Sequence, residues 1–280
     1  GFDGTEGGHL RLPEGVRGNV ALLDEEAQLL VIGTEWTGTF PLYYTTFGEG
    51  IAFSSLLRPL AKAVSASIDP ATVVQFLRTA YTCGGRSLFK GIHRIQPGQS
   101  LYFRPGKVPQ IQEHSRLWVK SNFSALEPEE VAESLLPHLR RALGDSLPDE
   151  GSSLLMMSAG WDSRVLLGLA SSMATPGSLM GYSHGDLDSR EIHLARKLCE
   201  VVGVPHYRYP VDVSALDPEV LRDGFARTES AVFPHWLVSS KRAQEIGAEV
   251  VFSGVLGEVM GGHYGSTMIF EGIEKVRAFL

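Results

Sequence analysis

Along the first third of the chain the apolar positions come in short runs broken by turn residues. Residues 20–23 and 29–32, separated by a polar turn at 24–26, read as a β-hairpin. The run "FPLYYTTFGEGIAFSS" repeats the pattern with Gly48 and Gly50 in its turn. Residues 70–80 fit a helix with Pro70 in the first turn and Val73, Val74 and Leu77 on one face. "SLFKGIHRIQPGQSLYF" returns to strands around the "QPGQ" turn. This half reads as antiparallel β with a helix.

The period then changes. A helix is predicted over 127–145, with Val131, Leu135, Leu136 and Leu139 on one side. Apolar strand-like runs at 153–158, 178–183, 206–211 and 248–254 alternate with helical segments. The first two of those helices span 162–172 and 188–202. The second has an apolar stripe of Ile192, Ala195, Leu198, Cys199 and Val202, with Asp188 as its expected cap and Glu191 three residues on. Such alternation implies a parallel sheet covered on both faces. The polar stretch 104–127 is the expected boundary between the halves.

Composition adds exclusions. The chain has 280 residues, 43% hydrophobic and 20% charged, with a net charge of −7. That balance argues against nucleic acid as a partner. No apolar run approaches the roughly 18 residues that span a membrane, and no signal peptide is seen. Cys83 and Cys199 stand far apart without a CxxC, so a reducing, cytoplasmic setting is expected. Neither sits in a context that would activate a thiolate.

The chemistry concentrates in "SAGWDS", residues 158–163, where the first parallel strand meets a helix. Ligands gather at such strand ends. Ala159 and Gly160 leave room for backbone to approach a ligand, and the helix start offers free N–H groups to an anion. Asp162 is out of place beside an anion unless a cation lies between them, so Asp162 with Mg2+ and a polyphosphate is expected. The bland alternative is a small-residue turn capped by Asp162. Trp161 is expected to pack on the sheet edge, with stacking on something at the loop as the alternative, and Arg164 either to reach phosphate oxygens or to pair with a carboxylate. Asp186, Asp188 and Glu191 form an acidic cluster more in keeping with caps than with a metal site.

"SAGWDSR" resembles the SGGxDS pyrophosphate loop of the N-type ATP pyrophosphatases, and above all the asparagine synthetase-like family. "VVFSGVLGEVMGGHY", residues 250–264, resembles that family's second loop. Residues 18–45, 51–60 and 86–103, notably "FPLYY" and "IAFSSLLRPL", are similar to its glutaminase-type domain. The resemblance implies an α/β chain with an open, mainly parallel sheet of the adenine nucleotide α-hydrolase-like type (HUP, PP-loop). An incomplete α+β glutaminase-like (Ntn-type) domain would precede it. The implied domains are 1–115 and 125–280. Strands one and four should be neighbours, so that both loops meet.

The implied activity is an AMP-forming carbon–nitrogen ligase: a carboxylate is activated by ATP as an acyl-adenylate and then attacked by an amine. Asp162, Ser163 and Glu258 are the implied catalytic residues, with Asp162 and Glu258 holding Mg2+. ATP would lie on Met157, Ser158, Ala159, Gly160, Trp161, Asp162, Ser163, Tyr182, Ser183, Ser253 and Gly254. Adenine is expected near residues 155–157 and 181–183. The partners would be small-molecule or peptide carboxylates and amines, with homo-oligomerisation left open.

The chain departs from the family in places. Gly1 stands where a cysteine nucleophile is expected, so glutamine hydrolysis is not expected. β-Lactam synthetases and lasso-peptide cyclases share that lack, which brings intramolecular cyclisation into view. Gly257-Glu258 replaces the usual Asp-Glu pair, and Lys275 and His263 are weak candidates beyond it. Two alternatives stay open: a non-catalytic nucleotide-binding or scaffold homologue, and an RNA-modifying ATP pyrophosphatase.

Overall fold

A computed structural model describes residues 5–6, 9–10, 18–79, 81–115, 127–211, 217–229 and 234–255. The chain divides into two compact units, Gly1–Ser121 with Phe225–Ser230, and Asn122–Gly224 with Ala231–Leu280.

In chain order the first unit holds β1 (Thr5–Glu6), β2 (His9–Leu10), β3 (Asn19–Asp24), β4 (Leu29–Thr34), β5 (Tyr43–Phe47) and β6 (Gly50–Ser54). The helices α1 (Leu57–Ala63) and α2 (Pro70–Thr79) follow, then β7 (His93–Arg94), β8 (Gln99–Phe103) and β9 (Gln110–Glu113). Strands β3-β4-β8-β9 form one antiparallel sheet and β6-β5-β7 another. The first predicted hairpin closes where the Ala27 N–H donates to the Asp24 carboxylate at 2.9 Å. Period-two alternation gives the second sheet two apolar faces. Tyr44 and Ile51 meet Ile32, Leu101 and Phe103 of the first sheet, while Tyr43 and Ala52 meet Leu57, Leu60 and Ala61 of α1.

Two expectations for this unit change. The predicted apolar face of α2 is open, with Val74 52% and Leu77 77% exposed, and Thr72 is buried instead. The Thr72 hydroxyl donates to Asp69 at 2.8 Å, which removes the penalty of burying it. The polar stretch 104–127 also contains a strand, β9. It is drawn in because the His114 and Ser115 N–H groups donate to the Gly98 carbonyl at 2.9 and 3.2 Å. Gly98 has φ 70°, and a Cβ there would lie 2.0 Å from the Ser115 oxygen, so glycine is required.

Beyond β4 the chain turns on Glu35. Its carboxylate accepts the N–H groups of Thr37, Gly38 and Thr39 at 2.8, 2.8 and 2.7 Å, and the Thr37 hydroxyl as well. Burial pushes the carboxyl up, but the bonds from Thr37, Thr39 and Gly38 outweigh it and hold it below its ordinary value.

The second unit comprises α3 (Pro128–Gly144), β10 (Ser153–Met156), α4 (Trp161–Met173), β11 (Leu179–Gly185), α5 (Arg190–Val202), β12 (His206–Pro210), α6 (Pro218–Thr228) up to Gly224, α7 (Pro234–Ile246) and β13 (Val250–Phe252). Its sheet is parallel, in the order β12-β11-β10-β13. Successive side chains of β10 point to opposite faces. Leu155 joins Leu167 and Ala170 of α4 and Ala195 and Cys199 of α5, while Leu154 packs with Ala243 of α7. This is the predicted mixed α/β arrangement with helices on both faces. The chain steps from β10 to β11 to β12 and then crosses back to β13, so connections diverge between β10 and β13.

Here too details differ. Leu135 and Leu136 of α3 are 36% and 40% exposed, and the helix is anchored through Leu143 and Leu139. The cap of α5 is Ser189, which accepts the Ile192 N–H at 3.3 Å. Asp188 misses the role because its own N–H is drawn to the Asp186 carboxylate at 3.1 Å, so the helix begins later. Among the described residues no helix is long and apolar enough to cross a membrane.

Candidate functional site

A cavity of about 540 Å³ opens at the carboxyl ends of β10, β11 and β13, where the connections diverge. Its size lies within the ordinary range for small-ligand pockets, roughly 300–1,000 Å³. One wall is Met156, Met157, Ser158, Gly160, Asp162 and Ser163; another is Tyr182, His184, Gly185 and Asp186. Ser253, Gly254 and Val255 close the β13 side, and Ser189, Glu191 and Ile192 contribute from the start of α5.

The loop between β10 and α4 is held by its own first helical turn. Gly160 is the N-cap and has no side chain to satisfy the helix start. The buried Ser163 hydroxyl lies 2.9 Å from the Ser158 carbonyl oxygen and 3.1 Å from that of Gly160, and its single proton is shared between them. Arg164 donates from both Nε and Nη2 to the Ala159 carbonyl, at 2.9 and 2.6 Å. All three loop carbonyls are thereby engaged. The Gly160 N–H goes to the Ser158 hydroxyl at 3.1 Å, whereas those of Ala159, Trp161, Asp162 and Ser163 have no partner among the described residues. Planar trans peptides point C=O and N–H in opposite directions, so tying back the carbonyls aims the N–H groups the other way.

Arg164 therefore takes neither expected role. Its guanidinium lies over the Trp161 ring at 4.7 Å. Trp161 does not pack on the sheet edge; it is 77% exposed, because the ring turns outward to meet Arg164. Asp162 lines the cavity, and its carboxylate has no hydrogen-bond partner among the described residues.

A buried polar chain links the three strands at this end of the sheet. The Ser183 hydroxyl donates to the Met157 carbonyl at 2.7 Å and lies 2.8 Å from His206 Nε2. With its proton committed to Met157, Ser183 must accept from Nε2–H, so the network assigns that tautomer and leaves Nδ1 a bare, buried acceptor. Burial, then Arg208 and Arg196, push His206 below its ordinary value, with Glu200 opposing. Beside it, a Cβ on Gly181 would lie 2.7 Å from Cys199 Sγ. Burial pushes that thiol up to about 11, the reverse of activation. Cys83 is exposed.

β13 meets the loop at close quarters. A Cβ on Gly254 would lie 2.8 Å from Asp162 Cβ and 3.2 Å from the Ser163 nitrogen. Strands one and four of the sheet are neighbours, as expected, so the segment after β13 does reach the first loop.

Of the predicted contacts, Met157, Ser158, Gly160, Asp162, Ser163, Tyr182, Ser253 and Gly254 line the cavity. Ala159 and Trp161 do not; they shape the loop from outside. Ser183, 3% exposed, holds the strand ends instead of facing the opening. Leu155 and Gly181, expected near adenine, are internal because their side of the sheet packs on α4 and α5. Gly257, Glu258, His263 and Lys275 lie outside the described residues.

Sequence reasoning missed His184, Gly185, Ser189 and Ile192 as lining residues. The rule that ligands sit beyond parallel strand ends would have drawn attention to them. Asp186 and Glu191 also line the cavity, but no group of three or more His, Cys, Asp or Glu among the described residues is placed to hold a metal.

Comparison with known proteins adds the following. Residues 11–115 match the glutamine amidotransferase domain family. The chain is similar to the amidase chyE of Penicillium rubens, 24% identical over 221 residues that cover 72% of this chain and 32% of that protein. It is 22% identical, over the same shares, to the amidase chry2 of Gibberella zeae. The chain thus spans about a third of the length of the curated relatives it matches. Two solved structures are similar over 45% of the chain. One is an NH3-dependent NAD synthetase from Campylobacter jejuni (12% identity, 56% of that chain, TM-score 0.28) and the other an NMN synthetase from Francisella tularensis (18%, 53%, TM-score 0.29).

Proposed function

We propose that the cavity of the second unit binds ATP and that the protein is an AMP-forming ligase joining a carboxylate to an amine. The observation that carries this reading is the loop 158–163, whose carbonyls are tied back while four N–H groups have no partner among the described residues, two of them on Asp162 and Ser163, which line the cavity. Unpaired N–H groups at the start of a helix suit phosphate oxygens. The amidotransferase match in the first unit and the amidase names of the curated relatives favour amide chemistry.

On this reading the pyrophosphate portion of ATP lies against residues 158–163 and the base toward Met156, Met157 and Tyr182. Preset donors stabilise the negative charge that grows on the departing pyrophosphate without having to reorganise. Asp162 suits Mg2+, since it lines the cavity, its carboxylate has no hydrogen-bond partner among the described residues, and Mg2+ needs few protein ligands beside phosphate. Mg2+ would neutralise phosphate charge there. The carboxylate substrate displaces pyrophosphate to give an acyl-adenylate, and an amine then displaces AMP. We take the nitrogen to come from an external or intramolecular amine. Glu258 would be the second carboxylate.

The test is ATP–pyrophosphate exchange by the full-length protein over a panel of carboxylic acids. Exchange with at least one acid is expected, and Asp162→Ala should abolish it without lowering the melting temperature. ATP binding without exchange for any acid would support a non-catalytic nucleotide-binding protein.

A further inference from the structure

We infer that Arg164 is a positioning residue for the phosphate-binding loop, acting through the Ala159 carbonyl and not by touching the nucleotide. This inference rests on the reading of the cavity as an ATP site.

Three peptide groups make up the loop. Ser163 restrains the outer two, Ser158–Ala159 and Gly160–Trp161, through their carbonyls. The middle group, Ala159–Gly160, is restrained at its oxygen by Arg164 and at its nitrogen by the Ser158 hydroxyl. The hydroxyl bond is a single contact of 3.1 Å, whereas the guanidinium bonds are two, charge-assisted and shorter. Without Arg164 only the Ser158 hydroxyl restrains the middle peptide, and its carbonyl dipole can turn toward a bound phosphate, where it repels. The stacked Trp161 ring keeps the guanidinium over the loop, and neither side chain lines the cavity. Arg164 thus supplies preorganisation, and its loss should weaken phosphate binding while leaving the base end of the cavity intact.

The experiment is calorimetric titration of the full-length protein with inorganic pyrophosphate plus Mg2+, and separately with adenosine. Arg164→Ala should weaken pyrophosphate binding by about tenfold or more, the worth of one charge-assisted contact, and leave adenosine affinity unchanged. Arg164→Lys, whose ammonium can reach one oxygen but offers no planar fork, should fall between the two and keeps the test alive should Arg164→Ala not fold. Equal pyrophosphate affinity in wild type and the variants, or a parallel loss of adenosine binding, overturns the positioning role. Failure of the wild-type protein to bind pyrophosphate overturns the ATP reading itself, and the two failures are thereby distinct.

Discussion

Each unit carries a tight loop at the end of a buried strand, and the two loops solve the same problem in opposite ways. After β4 the chain closes on its own carboxylate: Glu35 fills a ring of three N–H groups from Thr37, Gly38 and Thr39. After β10 the chain fills its carbonyls instead, using Ser163 and Arg164, and leaves N–H groups without a partner among the described residues. The first loop is an anion nest already occupied; on the proposed reading the second is one held open for phosphate. What separates a structural turn from a binding loop is therefore whether an internal acid reaches the donors. In the second loop Asp162 sits on the helix itself and lines the cavity, and its carboxylate does not fold back onto those donors.

The largest expected effect tests the occupied loop. Glu35→Ala should destabilise the protein by about 1.5–3 kcal/mol, the range for losing hydrogen bonds to a charged group, as measured by urea unfolding. Added phosphate should then recover part of that loss, because the vacated donors would resemble those of the second loop. Recovery by neutral osmolytes alone would break the comparison.

The second test crowds the open loop. Gly254→Val places a side chain where even a Cβ lies 2.8 Å from Asp162 Cβ. Overpacking of this kind costs about 1–3 kcal/mol. ATP affinity should fall by at least about tenfold, with a smaller change in melting temperature. Unchanged affinity would mean that the segment after β13 yields without disturbing the loop.

The smallest effect concerns pH. His206 sits below its ordinary 6.5, so the unfolded chain takes up the proton first; its contribution is full above about 6.5 and fades as pH falls below it. Glu35 sits below its ordinary 4.5, so its contribution is full above that value and fades only in stronger acid. Urea midpoints between pH 8 and pH 3 should fall in two steps. His206→Gln, which keeps a donor for Ser183, should flatten the first step, and Glu35→Gln the second. A first step that survives in His206→Gln would assign it to another group.

Most of the element order was legible in the chain. Periods of two and 3.6 are local consequences of backbone geometry, so the β3–β4 hairpin, α4, β11, α5 and β12 fall close to their expected places. "SAGWDS" was legible too, because small residues before a helix are a local requirement of close backbone approach. The same logic failed for α2 and α3: a helical stripe says which residues share a face but not what covers it, and Val74, Leu77, Leu135 and Leu136 stand exposed.

By itself, then, the sequence determined the succession of strands and helices and the position of the loop at the head of α4. The tertiary structure decided the rest. It brought β13 beside β10, so that Gly254 abuts Asp162 across about 90 residues of chain. It turned Ser183 inward to His206 and Met157, and it set Arg164 on the Ala159 carbonyl and Trp161. These choices depend on which donors and acceptors are left unpaired once the sheet is assembled, and no local periodicity carries that information.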